Sequence, residues 1–331
     1  MLLLIFLANS FNYAFKRSPF DLVIEIYFCN FKPNSSAMSK LIFVIYLTFI
    51  FAACQNAPKQ KANATKKIPQ QTIVCQLEDS LKIQSILKQF EDSQEKTTAE
   101  LAAQVGRQFL EVPYVAHTLE HGVKEPLTVE SDALDCTTFV ETALALARTI
   151  KSDNPDFDQF AHELEKIRYR DGKRQGYTSR LHYFSDWIDN NQQKGLISQP
   201  AESFGAPLDI EVNFMSTHPD SYAVLKENPA LVDSIAQQEK QLSARSHFYL
   251  PKDKIKTNEH NLKEGDIIGL VTTVKGLDIA HTGILVEVDG RIHLMHASSL
   301  GEKVMISKEP LSDLVLNKKS YSGIMIARPL N

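Results

Sequence analysis

The sequence predicts an α+β fold, with a helical first half packed on an antiparallel β-sheet formed by the last third. Two observations carry this. Apolar residues recur at helical spacing between Leu81 and Leu242, and at strand spacing from Gly265 onward. Helices first and strands later is the chain order of α+β folds, not of alternating α/β folds. The 331 residues are 43% hydrophobic and 23% charged, ordinary globular composition, and a formal charge of -4 gives no sign of nucleic-acid binding.

The chain opens with a stretch that does not belong to this fold. Met1 to Phe31 is apolar but interrupted by Lys16, Arg17, Asp21 and Glu25. Residues 1–37 read as a doubtful leader, upstream of a translation start at Met38. From there the chain has the parts of a secretion signal: Lys40, an apolar run from Leu41 to Ala53, and small residues before Cys54. The run is shorter than the about 20 residues a membrane-spanning helix needs. The small-small-Cys ending resembles a bacterial lipoprotein signal, which makes 38–54 a signal peptide with Cys54 lipidated. Phe51 departs from the usual aliphatic residue there, and a simple N-terminal anchor is the alternative. Both readings export the protein and attach it to a bacterial membrane, facing the periplasm or the exterior.

Residues 55–75 are rich in Lys, Gln, Asn and Pro at first and lack hydrophobic period, so they read as a flexible tether. Residues 76–331 then form one domain, expected to be monomeric. Helices are expected over Leu81 to Phe90, Thr98 to Phe109, the segment after Asp135, Phe157 to Ile167, and Ser221 to Leu242. The third is the clearest, with Phe139, Val140, Ala143, Leu144 and Ala147 on one face. Asp135 is suited to cap it, because its carboxylate can accept an orphan backbone N–H. Strands are expected at Gly265–Val271, Ala280–Val288, Arg291–Ala297, Val304–Ile306 and Gly323–Ala327, separated by Gly, Asp and Lys turns.

Three residues suggest chemistry. Cys136 follows the helix cap, where free N–H groups and the helix dipole favour a thiolate and can bind an oxyanion. A turn at Asp289-Gly290 pairs Val288 with Arg291, and the same register sets Gly283 opposite His296. His281 and His296 then share one face, about 7–8 Å apart along the diagonal, with Gly283 leaving room between them. A catalytic thiol needs a base, and the base an orienting partner. Cys136 is therefore read as nucleophile, His281 as base and His296 as the orienting residue. His293 falls on the opposite face, which argues against a zinc site, and no cofactor is expected. Cys75 is left as a lone thiol without a function, and no disulfide framework is visible.

At these residues the chain resembles the NlpC-type peptidases, papain-like cysteine hydrolases of bacterial cell walls. The matching features are Pro113-Tyr114-Val115, Asp135-Cys136, and Gly265-Asp266 before the strand of His281. The resemblance implies that Tyr114 and Asp135 line the active site. It narrows to a branch, once a domain of unknown function, associated with N-acetylmuramoyl-L-alanine amidase activity. That branch is marked by Thr118-Leu119-Glu120, Asp135 to Glu141, Ile167 to Gly172 and Arg180 to Trp187. His117 departs from the branch's small residue, and either narrows the cleft or points to solvent.

The middle segment also has its own logic. Arg180, Arg168 and Arg170 offer forked cations for stem-peptide carboxylates, and Tyr183 and Trp187 offer flat faces for sugars. The opposing reading makes the aromatics core and pairs Arg168 or Arg170 with Asp171 or Asp186. The resemblance implies cleavage of the amide between N-acetylmuramic acid and L-alanine in peptidoglycan or muropeptides. The alternatives are an endopeptidase cutting after D-glutamate and an inactive muropeptide-binding lipoprotein.

Overall fold

The structure, a computed structural model, describes residues 72–331. The leader at 1–37, the signal at 38–54 with Cys54, and most of the tether lie outside the described residues. The end of the expected tether is ordered: Ile73–Cys75 is a strand, β1, paired in parallel with β2 (Leu127–Val129). Both are short, and their apolar residues escape a period-based reading.

The helical layer follows the sequence closely. It comprises α1 (Leu77–Gln89), α2 (Thr98–Gly106), α3 (Cys136–Ile150), α4 (Phe157–Arg168) and α5 (Phe184–Gln193). Helix α2 starts at a capping box between Thr97 and Glu100 and ends in a 3-10 turn over Arg107–Phe109. Helix α3 is buried almost all round, with Phe139, Ala143, Leu144 and Ala147 all fully inaccessible. It is the central helix of the domain.

The strands β3 (Ile197–Ser198), β4 (Ala206–Leu208), β5 (His247–Pro251), β6 (Ile267–Thr272), β7 (Ile279–Val288), β8 (Arg291–Ser298), β9 (Lys303–Ile306) and β10 (Tyr321–Pro329) form one antiparallel sheet. Its order is β4-β5-β10-β6-β7-β8-β9, with β3 on β10. The expected hairpin is present: Val288 pairs with Arg291, and the ladder runs back to Ile284 opposite Met295. Asp289 and Gly290 both take positive φ, 50° and 75°, the mirror-image turn that matches strand twist.

Alternation along the strands produces two apolar faces. Ile284, Val286, Met295 and Met325 join Phe139 and Leu144 in the larger core beneath the helices. Leu285, Leu294, Ile324 and Ile326 form a second core on the other side. Gly106 is where α2 meets the sheet, since a Cβ there would lie 2.5 Å from Met295 Cε.

One helix expectation is corrected. Ser221 to Leu242 is not continuous: α6 (Phe214–Thr217), α7 (Ala223–Glu227) and α8 (Ala230–Ser243) are separate. Pro229 disfavours helical geometry at the residue before it, and Asn228 accordingly leaves the helix with φ -134° and ψ 72°. These short helices enclose a small third core of Val212, Met215, Val224, Leu225, Ile235 and Leu242 with Tyr177 and Tyr183. Among the described residues, no helix is long and apolar enough to cross a membrane.

Candidate active site

Asp135 caps α3 as expected. The Thr138 N–H donates to Asp135 Oδ1 at 2.7 Å, and the Asp135 N–H donates to Thr138 Oγ1 at 2.9 Å. This reciprocal box fixes the first turn and uses the Thr138 N–H, so the N–H groups of Cys136 and Thr137 are left for a ligand. Cys136 is the first residue of the helix and is half-buried. Its sulfur receives a hydrogen bond from the Thr282 backbone on β7.

Cys136 and His281 line the same cavity, about 200 Å³, together with Phe184, Trp187, Met215 and Tyr222. His281 Nε2 lies 2.6 Å from His296 Nδ1, with the two rings nearly perpendicular. The β7–β8 ladder ends at Ile284 and Met295, after which β7 continues along β6 and β8 along β9. The imidazoles meet where the strands part. Gly283 is required there: a Cβ would stand 2.6 Å from Met295 O and 3.0 Å from His296 Cβ. His293 points away, its Nδ1 2.8 Å from Ser307 O, as the alternation of faces required.

The electrostatics differ from the sequence expectation of a thiolate near neutral pH. Burial, with a further contribution from the Asp135 carboxylate, pushes the Cys136 thiol up to about 11. Burial lowers His281 to about 3, helped by His296, which burial itself lowers to about 4. With these shifts the thiol and both imidazoles are neutral near pH 7. The helix end does not offset the loss of water around the sulfur.

Two tyrosines sense the sulfur. Burial raises Tyr114 and Tyr321, and in each case negative charge at Cys136 raises it further. Tyr114 was expected from the resemblance. Tyr321, at the start of β10, carried no motif that could have singled it out.

The proposed substrate-binding residues divide. Arg168 is no surface cation: its Nε donates to Glu141 Oε2 at 2.6 Å, and both side chains are 2% exposed. Arg170 is engaged by Asp186, its Nη1 donating to Oδ1 at 3.0 Å. Arg168 is structural, so its expected substrate contact is corrected, while Arg170 is half-buried and takes the Asp186 partner that the opposing reading named. Tyr183 and Trp187 do line the cysteine cavity, but they are buried. Trp187 stacks on Phe184, and the Tyr183 hydroxyl donates to Glu239 at 2.6 Å while accepting the Met215 N–H at 3.0 Å. Arg180 faces a neighbouring pocket and pairs with Glu120 at 2.8 Å and Glu125 at 3.2 Å. His117 is exposed at the rim of that pocket with φ 64°. Cys75 is half-buried and free.

Sequence reasoning missed Asp278. This buried carboxylate accepts the Ser185 N–H at 2.7 Å and the Ser185 hydroxyl at 2.8 Å, tying α5 to the start of β7 beside His281. Ser185 lies in the Arg180–Trp187 motif, but nothing in the spacing indicated a partner 93 positions away.

Residues 104–324 match the model of the AmiA-like, N-acetylmuramoyl-L-alanine amidase-like family. The chain belongs to that family. A solved structure from Bacteroides uniformis, named as an N-acetylmuramoyl-L-alanine amidase, is 39% identical, covers 71% of this chain and 99% of its own, and superposes with a TM-score of 0.68. A Bacteroides fragilis structure, provisionally described as a xylanase, is 44% identical over 67% of this chain and 98% of its own, with a TM-score of 0.65. A Legionella pneumophila protein at 20% identity, covering 77% of this chain and 95% of its own with a TM-score of 0.58, shares the fold. A search of curated proteins finds no significant match.

Proposed function

We propose that the chain is a cysteine-dependent N-acetylmuramoyl-L-alanine amidase of the papain-like NlpC type, acting on peptidoglycan or muropeptides. The observation that carries this is the His281–His296 contact of 2.6 Å beside a cavity that also holds Cys136 at the start of α3. Family membership and the amidase name of the Bacteroides uniformis relative support the substrate.

The chemistry follows from the resting charges. His281 uses Nε2 towards His296, which leaves Nδ1 free to accept the thiol proton. As that proton moves, Cys136 Sγ attacks the lactyl amide carbonyl. The N–H groups of Cys136 and Thr137, with Tyr114, surround the developing oxyanion. Collapse breaks the C–N bond, and the imidazolium of His281 returns its proton to the leaving alanine nitrogen. A water then loses a proton to His281 and cleaves the thioester, restoring the thiol and releasing the muramic carboxylate. Asp135 holds the helix start and does not touch the reacting atoms.

A glycosidase reading, prompted by the xylanase description, finds less support. Sugar hydrolysis uses two carboxyl groups facing each other across the bond, about 5–9.5 Å apart. Asp278, the carboxylate that lines the cysteine cavity, is committed to Ser185.

Export and attachment through lipid on Cys54 form part of the proposal, and metabolic labelling with a fatty-acid analogue, lost in Cys54→Ala, tests them. Digestion of muropeptides followed by mass spectrometry tests the reaction. An intact peptide with a free N-terminal alanine supports it, while products cut inside the stem point to the endopeptidase instead.

A further inference from the structure

The cysteine cavity adjoins a larger pocket of about 530 Å³, and the two share Thr137, Leu181, His182 and Tyr222 as walls. Their chemistry is opposite. The cysteine cavity is walled by Phe184, Trp187, Met215, Leu277 and Ile279, and its carboxylate, Asp278, is fully engaged.

The second pocket carries groups the protein leaves unsatisfied. On its floor, Tyr177 is 1% exposed and its hydroxyl has no partner among the described residues. Glu120 offers Oε1 to Arg180, but its buried Oε2 accepts no hydrogen bond among the described residues. At the rim, Asp220 and Lys226 are exposed and neither forms an ion pair among the described residues. A buried hydroxyl and carboxylate oxygen without partners are unfavourable, so a ligand that pairs with them completes the pocket.

A substrate of the proposed reaction has two unlike halves. One is a neutral sugar with flat apolar faces, and the other is a peptide bearing carboxylates and, in longer stems, a free amine. We propose, resting on the proposed amidase reaction, that the halves divide between the pockets: the sugar enters the aromatic cavity and the peptide runs over Tyr177 and Glu120. Lys226 receives a stem carboxylate, and Asp220 with Glu120 receives the amine. The preferred substrate is therefore a muropeptide whose stem keeps both charges, and a bare N-acetylmuramoyl-L-alanine is a poor one.

Steady-state kinetics on three muropeptides test this: one with free carboxylate and amine, one with the distal carboxylate amidated, one with the amine acetylated. Each modification raises KM about three- to fivefold in the unaltered protein, the range of a solvent-exposed ion pair. In Lys226→Gln, KM for the parent rises by the same factor and amidation adds nothing. In Asp220→Asn the same holds for acetylation. Both residues are exposed, so neither substitution threatens folding. Calorimetry of the same ligands on Cys136→Ala reads the pocket separately from turnover. Equal affinity for all three ligands, or equal effects of Lys226→Gln on the parent and amidated forms, overturns the division even if the amidase reaction stands.

Discussion

His281 Nε2 and His296 Nδ1 stand 2.6 Å apart where β7 and β8 cease to pair. One proton lies between them, and if His281 carries it, Nδ1 of His281 is free as the base. His296 then acts as an acceptor that fixes a tautomer. His296→Asn keeps an acceptor and retains most of kcat, whereas His296→Ala lowers kcat about 100-fold, the low end for a positioned acid–base group. Equal loss in both variants would leave the tautomer argument without support.

The pH profile separates two kinds of thiol enzyme. A pre-formed thiolate–imidazolium pair loses activity when the imidazolium gives up its proton. Here His281 is lowered to about 3 and His296 to about 4, so both are neutral at pH 7. The expected kcat/KM falls only below about pH 4 and stays level from pH 6 to pH 9. Alkylation of Cys136 by iodoacetamide is slow at pH 7 and climbs towards the thiol's value of about 11. A plateau in alkylation below pH 8 contradicts the neutral resting pair.

The same shifts set stability in acid. His182, His281 and His296 are lowered by burial from 6.5 to between about 3 and about 4. Below pH 6.5 the unfolded chain binds protons that the folded chain refuses. Their contribution to stability is therefore full above that pH and declines as pH drops from 6.5 towards 3. Denaturant titrations across this window check the sign. Replacing His182 or His296 with a residue that does not titrate makes the slope shallower.

The Arg168–Glu141 pair predicts stability effects without an effect on substrate affinity. Removing either charge strands the other in the core, which costs about 3–5 kcal/mol. Arg168→Met lowers the unfolding midpoint sharply, and joint replacement with Glu141→Leu recovers part of the loss. KM for muropeptides in whatever folds is unchanged. A raised KM with an unchanged melting point would restore Arg168 as a substrate contact.

Much of this was legible in the chain because it depends on local rules. The cap at Asp135, the turn at Asp289-Gly290 and the alternation that pairs His281 with His296 need only near neighbours. What was not legible depends on distant partners. Arg168 looks like a free cation until Glu141 is brought beside it, whereas Asp186 stood near enough in sequence to be named as a partner for Arg170. Asp278 acquires its role from Ser185 on another element. The thiol's charge state was misjudged because the spacing reveals the helix end but not the depth of the cavity around it. The break at Asn228-Pro229 was readable from the proline alone, and the apolar period on either side concealed it.

The most direct measurement is the muropeptide digest repeated with Cys136→Ala, read by mass spectrometry. The expected result is release of an intact stem peptide with a free N-terminal alanine by the unaltered protein, and none by a folded Cys136→Ala. Cleavage within the stem, or undiminished release by Cys136→Ala, would contradict it.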